Sequence, residues 1–286
     1  MLLSCSQNFF LGITGMGIMM TKKMEKKYIP LASYFDVASQ NEITLSFSAL
    51  ENIMGQALPN AAYLNKSWWK KTKPPLTHFL SWTNAGYYVI DVKLGTSVTF
   101  SRTQEKMPLD NNSENNENTS AYIIRAIEAS DARAFILLQE EILQQTEFLY
   151  NVENELELTV QQLRKDLTYW KQLKNRTILL CILNGTFAGY AVVHGYKHSK
   201  AKHIASIHMA VKKEHQRNGI GSALMNAVED WASKRDISRL ELSVMEHNDA
   251  ALQLFKKHGF VQEGTRTNAI KLKDTFKAEY SFSKIL

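Results

Sequence analysis

The chain has 286 residues, a formal net charge of +6 from 34 lysines and arginines against 28 aspartates and glutamates, and two cysteines. That length accommodates two ordinary domains, and so modest a positive balance does not establish a nucleic-acid partner. Cys5 and Cys181 stand far apart, which excludes a disulfide framework, a zinc-ligand pattern or a paired redox motif and points to a reducing compartment, the cytoplasm.

The opening MLLSCSQNFFLGITGMGIMM, residues 1–20, is apolar but lacks the basic start of a secretory signal and is interrupted by Gly12, Gly15 and Gly17. It is expected to be a disordered tail, or an over-extended start ahead of Met19, Met20 or Met24. No later stretch reaches the ~18 apolar residues a membrane span requires.

A small α+β domain is expected over residues 21–102, with ten basic against five acidic residues. Its elements read as a helix near LASYFDVA, a strand EITLSF, a helix FSALENIMG, a turn at Pro59 with a short helix after it, a helix PLTHFLSWTNA, and strands YYVIDVKL and SVTFSR. Residues 46–86 carry S-F-x-x-[IL]-E, G-x-x-L-P, W-W and W-x-x-A-G in succession, and in this they resemble a small bacterial domain family of unknown function. Helices followed by two strands fit a winged-helix-like module, and KSWWKKTK interleaves aromatics with lysines as a phosphate-backbone binder would. Against that, Trp68, Trp69 and Trp82 are the natural core of so small a domain, which favours a substrate- or partner-docking module.

Residues 103–120, TQEKMPLDNNSENNENTS, are nearly devoid of apolar side chains and read as a flexible linker. A second domain is expected over 121–286. It opens with strand YIIRAIE, helices DARAFILLQEEILQQ and TVQQLRKDLTYWKQL, and strands TILLCIL, FAGYAVVHGY and HIASIHMAV. A helix from Ile220, strand RLELSVM, helix NDAALQLFKKH and a terminal strand pair around FVQEG and AEYSFSKI complete it. The alternation argues an α/β class with a mixed central sheet. His194, His198 and His203 fall on a lysine-rich hairpin whose spacing suits a solvated loop better than a metal site, and no metal is implied.

The segment HQRNGIGSALMNAVEDWA joins a strand to a helix whose apolar residues recur at Ile220, Ala223, Leu224, Ala227, Val228 and Trp231. Gly219 and Gly221 clear side chains from the helix start, where free backbone N–H groups and the dipole favour an anion. No Gly-Lys-Ser/Thr follows, and Leu224 replaces the third glycine of the dinucleotide fingerprint, so both common phosphate motifs fail. Gln216, Gly219 and Gly221 do match Q/R-x-x-G-x-G/A. Asn248, Ala251, Leu254, Phe255, Gly259 and Phe260 match N-x-x-A-x-x-L-Y/F-x-x-x-G-F. In these motifs and their order residues 121–286 resemble the GNAT superfamily of acyl-CoA-dependent N-acetyltransferases.

The resemblance implies a GNAT-type sheet and acetyl-CoA as co-substrate. The backbone of Met209, Ala210 and Val211 would pair with the pantetheine arm, and Gln216, Arg217, Asn218, Gly219, Ile220, Gly221 and Ser222 would cradle the pyrophosphate. Asn248 would contact the arm or an ordered water, while Lys256 and Lys257 fit either nucleotide phosphates or a solvated helix face. Phe255 stands where the family usually places a tyrosine as leaving-group acid, so that hydroxyl is missing. An alkyl ammonium with a pKa of roughly 10 needs a base. His208, on the strand beside the thioester, is the first candidate, and Glu147, in the TEFLY segment, is the second; both also read as a packing histidine and a solvated glutamate.

The function expected is transfer of an acetyl group to a primary amine by direct attack. The competing reading is a nucleic-acid- or partner-binding regulator whose acyl-CoA domain senses without turnover. The acceptor is left open among small amines, amino-acid derivatives, antibiotics, protein amines and aminoacyl-tRNA. A homodimer is a mild expectation by analogy.

Overall fold

The computed structural model describes residues 24–70, 77–102, 122–149 and 159–286. The expected tail (1–20) and linker (103–120) lie outside them, as do Lys71 and Lys73 of the lysine-rich stretch.

The first unit runs α1 (Ile29–Val37), β1 (Glu42–Ser46), α2 (Phe47–Met54), α3 (Asn60–Leu64), α4 (Lys66–Lys70), α5 (Leu80–Thr83), β2 (Tyr87–Lys93) and β3 (Ser97–Arg102). Its three strands pair antiparallel in the order β1-β3-β2. Local chemistry sets the limits of α2. The Ser46 side chain accepts a hydrogen bond from the Ala49 N–H at 3.0 Å, and Gly55 ends the helix at φ 74°. Of the helix expected over PLTHFLSWTNA, only α5 is helical among the described residues; His78 and Phe79 before it form a turn, and Ser81 and Trp82 within it are buried. Trp69, Trp82, Phe35 and Phe100 fill the core. Trp68 is 8% exposed and stacks on the buried His78 at 3.8 Å, so the aromatics of KSWW face inward while Lys66, Ser67 and Lys70 face solvent.

The second unit contains β4 (Tyr122–Ala126), α6 (Ala132–Gln145), α7 (Val160–Leu173), β5 (Arg176–Leu183), β6 (Thr186–Gly195), β7 (Ile204–Val211), α8 (Ile220–Ser233), β8 (Arg239–Met245), α9 (Asp249–Lys257), β9 (Val261–Leu272) and β10 (Thr275–Ile285). Seven strands form one mixed sheet in the order β4-β5-β6-β7-β8-β10-β9. Only β7 and β8 run parallel, and the parallel pair is made by the α8 crossover. The terminal strands are longer than their sequence pattern, since β9 is a largely exposed edge that offers little apolar alternation to read. One face of the sheet packs on α8 through Ile220, Leu224, Val228 and Trp231. The other packs on α6 and α7 through Phe135, Leu138, Leu163 and Leu167.

The two units touch. The cluster of buried side chains that includes Phe35 and Leu50 runs on into Ile127, Phe135 and Tyr190 of the second unit. Asn52 Nδ2 donates to the Gly185 carbonyl at 2.9 Å, and the Ser130 hydroxyl donates to the Gly55 carbonyl at 3.0 Å. Among the described residues no helix is long and apolar enough to cross a membrane.

Candidate active site

β7 and β8 are in register only at Ile204–Ser206 against Arg239–Glu241. Beyond that, Ile207–Val211 keep their partners on β6, and Leu242–Met245 keep theirs on β10, but the two strands do not pair with each other. The sheet therefore splits into a wedge that opens toward the strands' C-terminal ends. A row of backbone N–H and C=O groups along Ile207–Val211 is left facing the gap, which is the requirement for an extended amide-bearing ligand to add as a strand. Side chains alternate along β7. Ile207, Met209 and Val211 belong to the α8 side, while Ala210 faces the α6 side, shared by His208, which is exposed.

At the mouth of the wedge the chain turns into α8. The Gln216 side chain reaches back, its Nε2–H donating to the Val211 carbonyl at 3.0 Å, and so ties the loop to the end of β7. Arg217 at φ 65° and Gly219 at φ 78° are both left-handed, which turns successive backbone N–H groups toward one side in the manner of an anion nest. Gly219 is the N-cap of α8, and no side chain caps that end. A Cβ added to Gly219 would meet nothing within 4 Å, so its neighbours leave open space above the first turn. Gly221 differs, for a Cβ there would lie 3.0 Å from Leu254 Cδ2, so part of its task is to let α9 pack close. The uncapped N–H groups, the positive helix pole and the exposed Arg217 guanidinium suit a diphosphate.

Of the other expected residues, Asn248 caps α9, its side-chain oxygen accepting from the Ala251 N–H at 3.2 Å. Phe255 is 6% exposed and packs edge-on against Phe260 at 5.7 Å, an apolar floor with no hydroxyl to give. Lys256 and Lys257 are exposed. The thiol of Cys181 is fully buried and pushed up to about 12 by desolvation, which removes it as a nucleophile. No group of three or more His, Cys, Asp or Glu side chains converges as a metal site among the described residues.

The opposite lip of the wedge comes from the end of α6. Lys212 pairs with Glu141 at 2.6 Å, and the Lys213 N–H donates to Gln145 Oε1 at 2.9 Å, which fastens this helix end beside the C-terminus of β7. The chain then carries Glu147 across to β8's side of the mouth, where its carboxylate lies 3.5 Å from His247 Nε2. Phe148 meets the same imidazole edge-on at 5.0 Å. An open depression of about 490 Å³ lies against Gln144–Phe148. His247 is the residue that sequence reasoning missed. It precedes Asn248 in a helix-cap context, and nothing in its spacing signals a contact with a residue a hundred positions earlier. The structure thus ties Gln216 to Val211, Gln145 to Lys213, and Glu147 to His247, the residue before Asn248, whereas His208 lies out on the α6 face of β7.

The family model described as Acetyltransferase (GNAT) family matches residues 143–260, and that described as Domain of unknown function (DUF7662) matches residues 28–104. The L-amino acid N-acetyltransferase AaaT of Escherichia coli (strain K12) is 28% identical over 91 residues, 30% of this chain and 54% of that protein. The match thus spans about half the length of that curated relative. An acetyltransferase of the GNAT family from Streptococcus pneumoniae superposes with a TM-score of 0.55 at 28% identity, over 58% of this chain and 99% of that one. The putative acetyltransferase yncA from Salmonella typhimurium, solved with its cofactor acetyl-CoA, shares the fold at a TM-score of 0.50 and 17% identity, over 57% of this chain and 93% of that one. The second unit thus carries a region, residues 143–260, that matches the GNAT acetyltransferase family, and the first unit a region, residues 28–104, that matches DUF7662.

Proposed function

We propose that the protein is an acetyl-CoA-dependent N-acetyltransferase that acts in the cytoplasm on a primary amine by direct attack. The observation that carries this reading is the wedge between β7 and β8, beside an uncapped helix N-terminus with open space over Gly219. Acetyl-CoA, when bound, supplies an acetyl group activated as a thioester. Met209–Val211 offer the backbone edge for its amide-bearing arm, the N–H groups of Gln216–Ser222 receive its diphosphate, and Asn248 flanks the arm.

Glu147 is the favoured base, because it stands at the mouth beside the depression and shares that mouth with the phosphate loop. It binds the acceptor's ammonium group and takes one proton, leaving a neutral nitrogen to attack. His208 is the second candidate, one residue before the stretch Met209–Val211. Phe255 gives no proton to the departing sulfur, so the second proton, which the nitrogen sheds as the amide forms, reaches the thiolate through water. The wedge, with its fixed backbone edge and loop, supplies the positioning that this chemistry mostly needs.

The relative's printed name supports a small L-amino-acid-like acceptor. For residues 24–102 the inward-facing tryptophans support a docking role over a nucleic-acid platform. The test is release of free thiol from acetyl-CoA with a panel of primary amines, L-amino acids first and then protein amines and charged tRNA. Thiol release dependent on one acceptor class is expected. Coenzyme binding without release on any acceptor would replace this reading with a non-catalytic acyl-CoA sensor.

A further inference from the structure

We propose that His247 is a positioning residue for the acceptor. Its imidazole holds the Glu147 carboxylate over the mouth of the wedge, so that the carboxylate receives a cationic primary amine there. This rests on the reading of the chain as an amine acetyltransferase and adds to it a residue that no motif marks.

The geometry comes from three sides. His247 stands in the turn just after Met245, the last residue of β8, on the side of the sheet where β7 and β8 no longer pair. From the other side, the end of α6 is fastened to Lys212 and Lys213, two residues ahead of Glu147. Phe148 braces the imidazole edge-on. The side chain of His247 is 29% exposed and that of Glu147 is 61% exposed, so the pair has a fixed inner partner and a solvent-facing outer one.

The ring's orientation fixes its polarity. His247 Nδ1 is buried without a hydrogen-bond partner among the described residues, whereas Nε2 faces the carboxylate. A ring proton on Nδ1 would meet no acceptor, while Nε2 is the ring nitrogen within ion-pair distance of the Glu147 carboxylate. At 3.5 Å the contact is long for a hydrogen bond, as catalytic contacts often are before substrate tightens them. Glu147 is among the residues lining the depression of about 490 Å³ and is largely exposed, so a carboxylate oxygen is accessible there. When the acceptor loses its proton, that proton passes from the ammonium nitrogen to this carboxylate oxygen, and the nitrogen keeps the electron pair it uses for attack.

The test compares His247→Leu and His247→Gln with the unaltered chain in steady-state kinetics. His247→Leu is expected to raise the KM for an aliphatic amine at least tenfold and to leave the KM for acetyl-CoA within twofold. A weakly basic amine, uncharged at assay pH, is expected to lose less than threefold. His247→Gln, which restores an N–H at the Nε2 position, is expected to recover most of the loss. Equal losses for charged and uncharged amines, or an acetyl-CoA KM that rises in step, would overturn the proposal. A second arm needs no turnover: ¹⁵N signals of the His247 ring should report the proton on Nε2, and Glu147→Gln should shift that signal. An unmoved signal would also overturn the proposal. Absence of thiol release from the unaltered chain would instead remove the acetyltransferase reading, with the pair still judged by the ring signals.

Discussion

Arg125 and Asp131 face each other at 2.6 Å with side chains only 9% and 5% exposed, and the same guanidinium donates from Nε to the carbonyl of Asn52 at 2.9 Å. One cation therefore clamps the last turn of α2 in the first unit to the strand and turn that lead into α6 in the second. α6 is also the helix whose far end carries Glu147 toward the site.

A buried pair of this kind costs most when half of it is removed. Arg125→Ala leaves Asp131 buried and unpaired, and is expected to lower stability by about 3–5 kcal/mol. The combined Arg125→Met and Asp131→Leu change is expected to recover much of that loss. Denaturant unfolding of the three proteins checks it. A single change costing no more than the double would show that the pair is not a clamp.

The turn between β5 and β6 meets α2 at closer range. A Cβ on Gly185 would fall 2.2 Å from Ala49 Cβ and 2.7 Å from its Cα, and Gly185 sits at φ +79°. Neither the backbone opposite nor the left-handed conformation tolerates a side chain. Gly185→Ala is expected to separate the units locally, seen as faster hydrogen exchange at the amides of α2 with α8 unchanged. Unaltered protection of α2 would count against the contact.

The two glycines of the phosphate loop should part company under substitution. Gly219→Val puts a branched side chain at φ 78° into the open space over the helix start, and is expected to raise the KM for acetyl-CoA tenfold or more. Gly221→Ala meets only the movable end of Leu254, and its stability cost is expected to stay within about 1.5 kcal/mol, with little change in coenzyme affinity. A folded Gly219→Val protein with normal affinity would remove the anion site.

His78 makes the first unit sensitive to acid. Its ring is 2% exposed, stacks on Trp68 and donates from Nε2 to the Trp68 carbonyl at 2.8 Å, and burial holds its pKa below the ordinary histidine value despite that hydrogen bond. The unfolded chain takes up its proton near pH 6.5, and the folded chain only at lower pH. Stability is therefore full above about pH 6.5 and falls as pH drops from there through the folded-state pKa. Denaturation midpoints between pH 8 and 5 should fall more steeply for the unaltered chain than for His78→Phe. Parallel curves would contradict the assignment.

Much of this molecule was legible in the letters. The helical spacing from Ile220 to Trp231, the strand-like runs before and after it, and Gly219 placed to take a positive φ all follow from local preferences that act within a few residues. So does the helix that begins at Asn248, while the tryptophans of the first unit read as core from their size alone. What only the tertiary structure decided depends on where distant segments come to rest. The early end of the β7–β8 pairing is a property of how the two strands lie in the sheet, and no residue pattern in either strand marks it. The same holds for the Arg125 clamp and for Glu147 meeting His247, contacts between segments whose separate sequences carry no sign of one another. Periodicity reports which face of an element is buried. It says nothing of which partner buries it, and the chemistry of this site lies in the choice of partner.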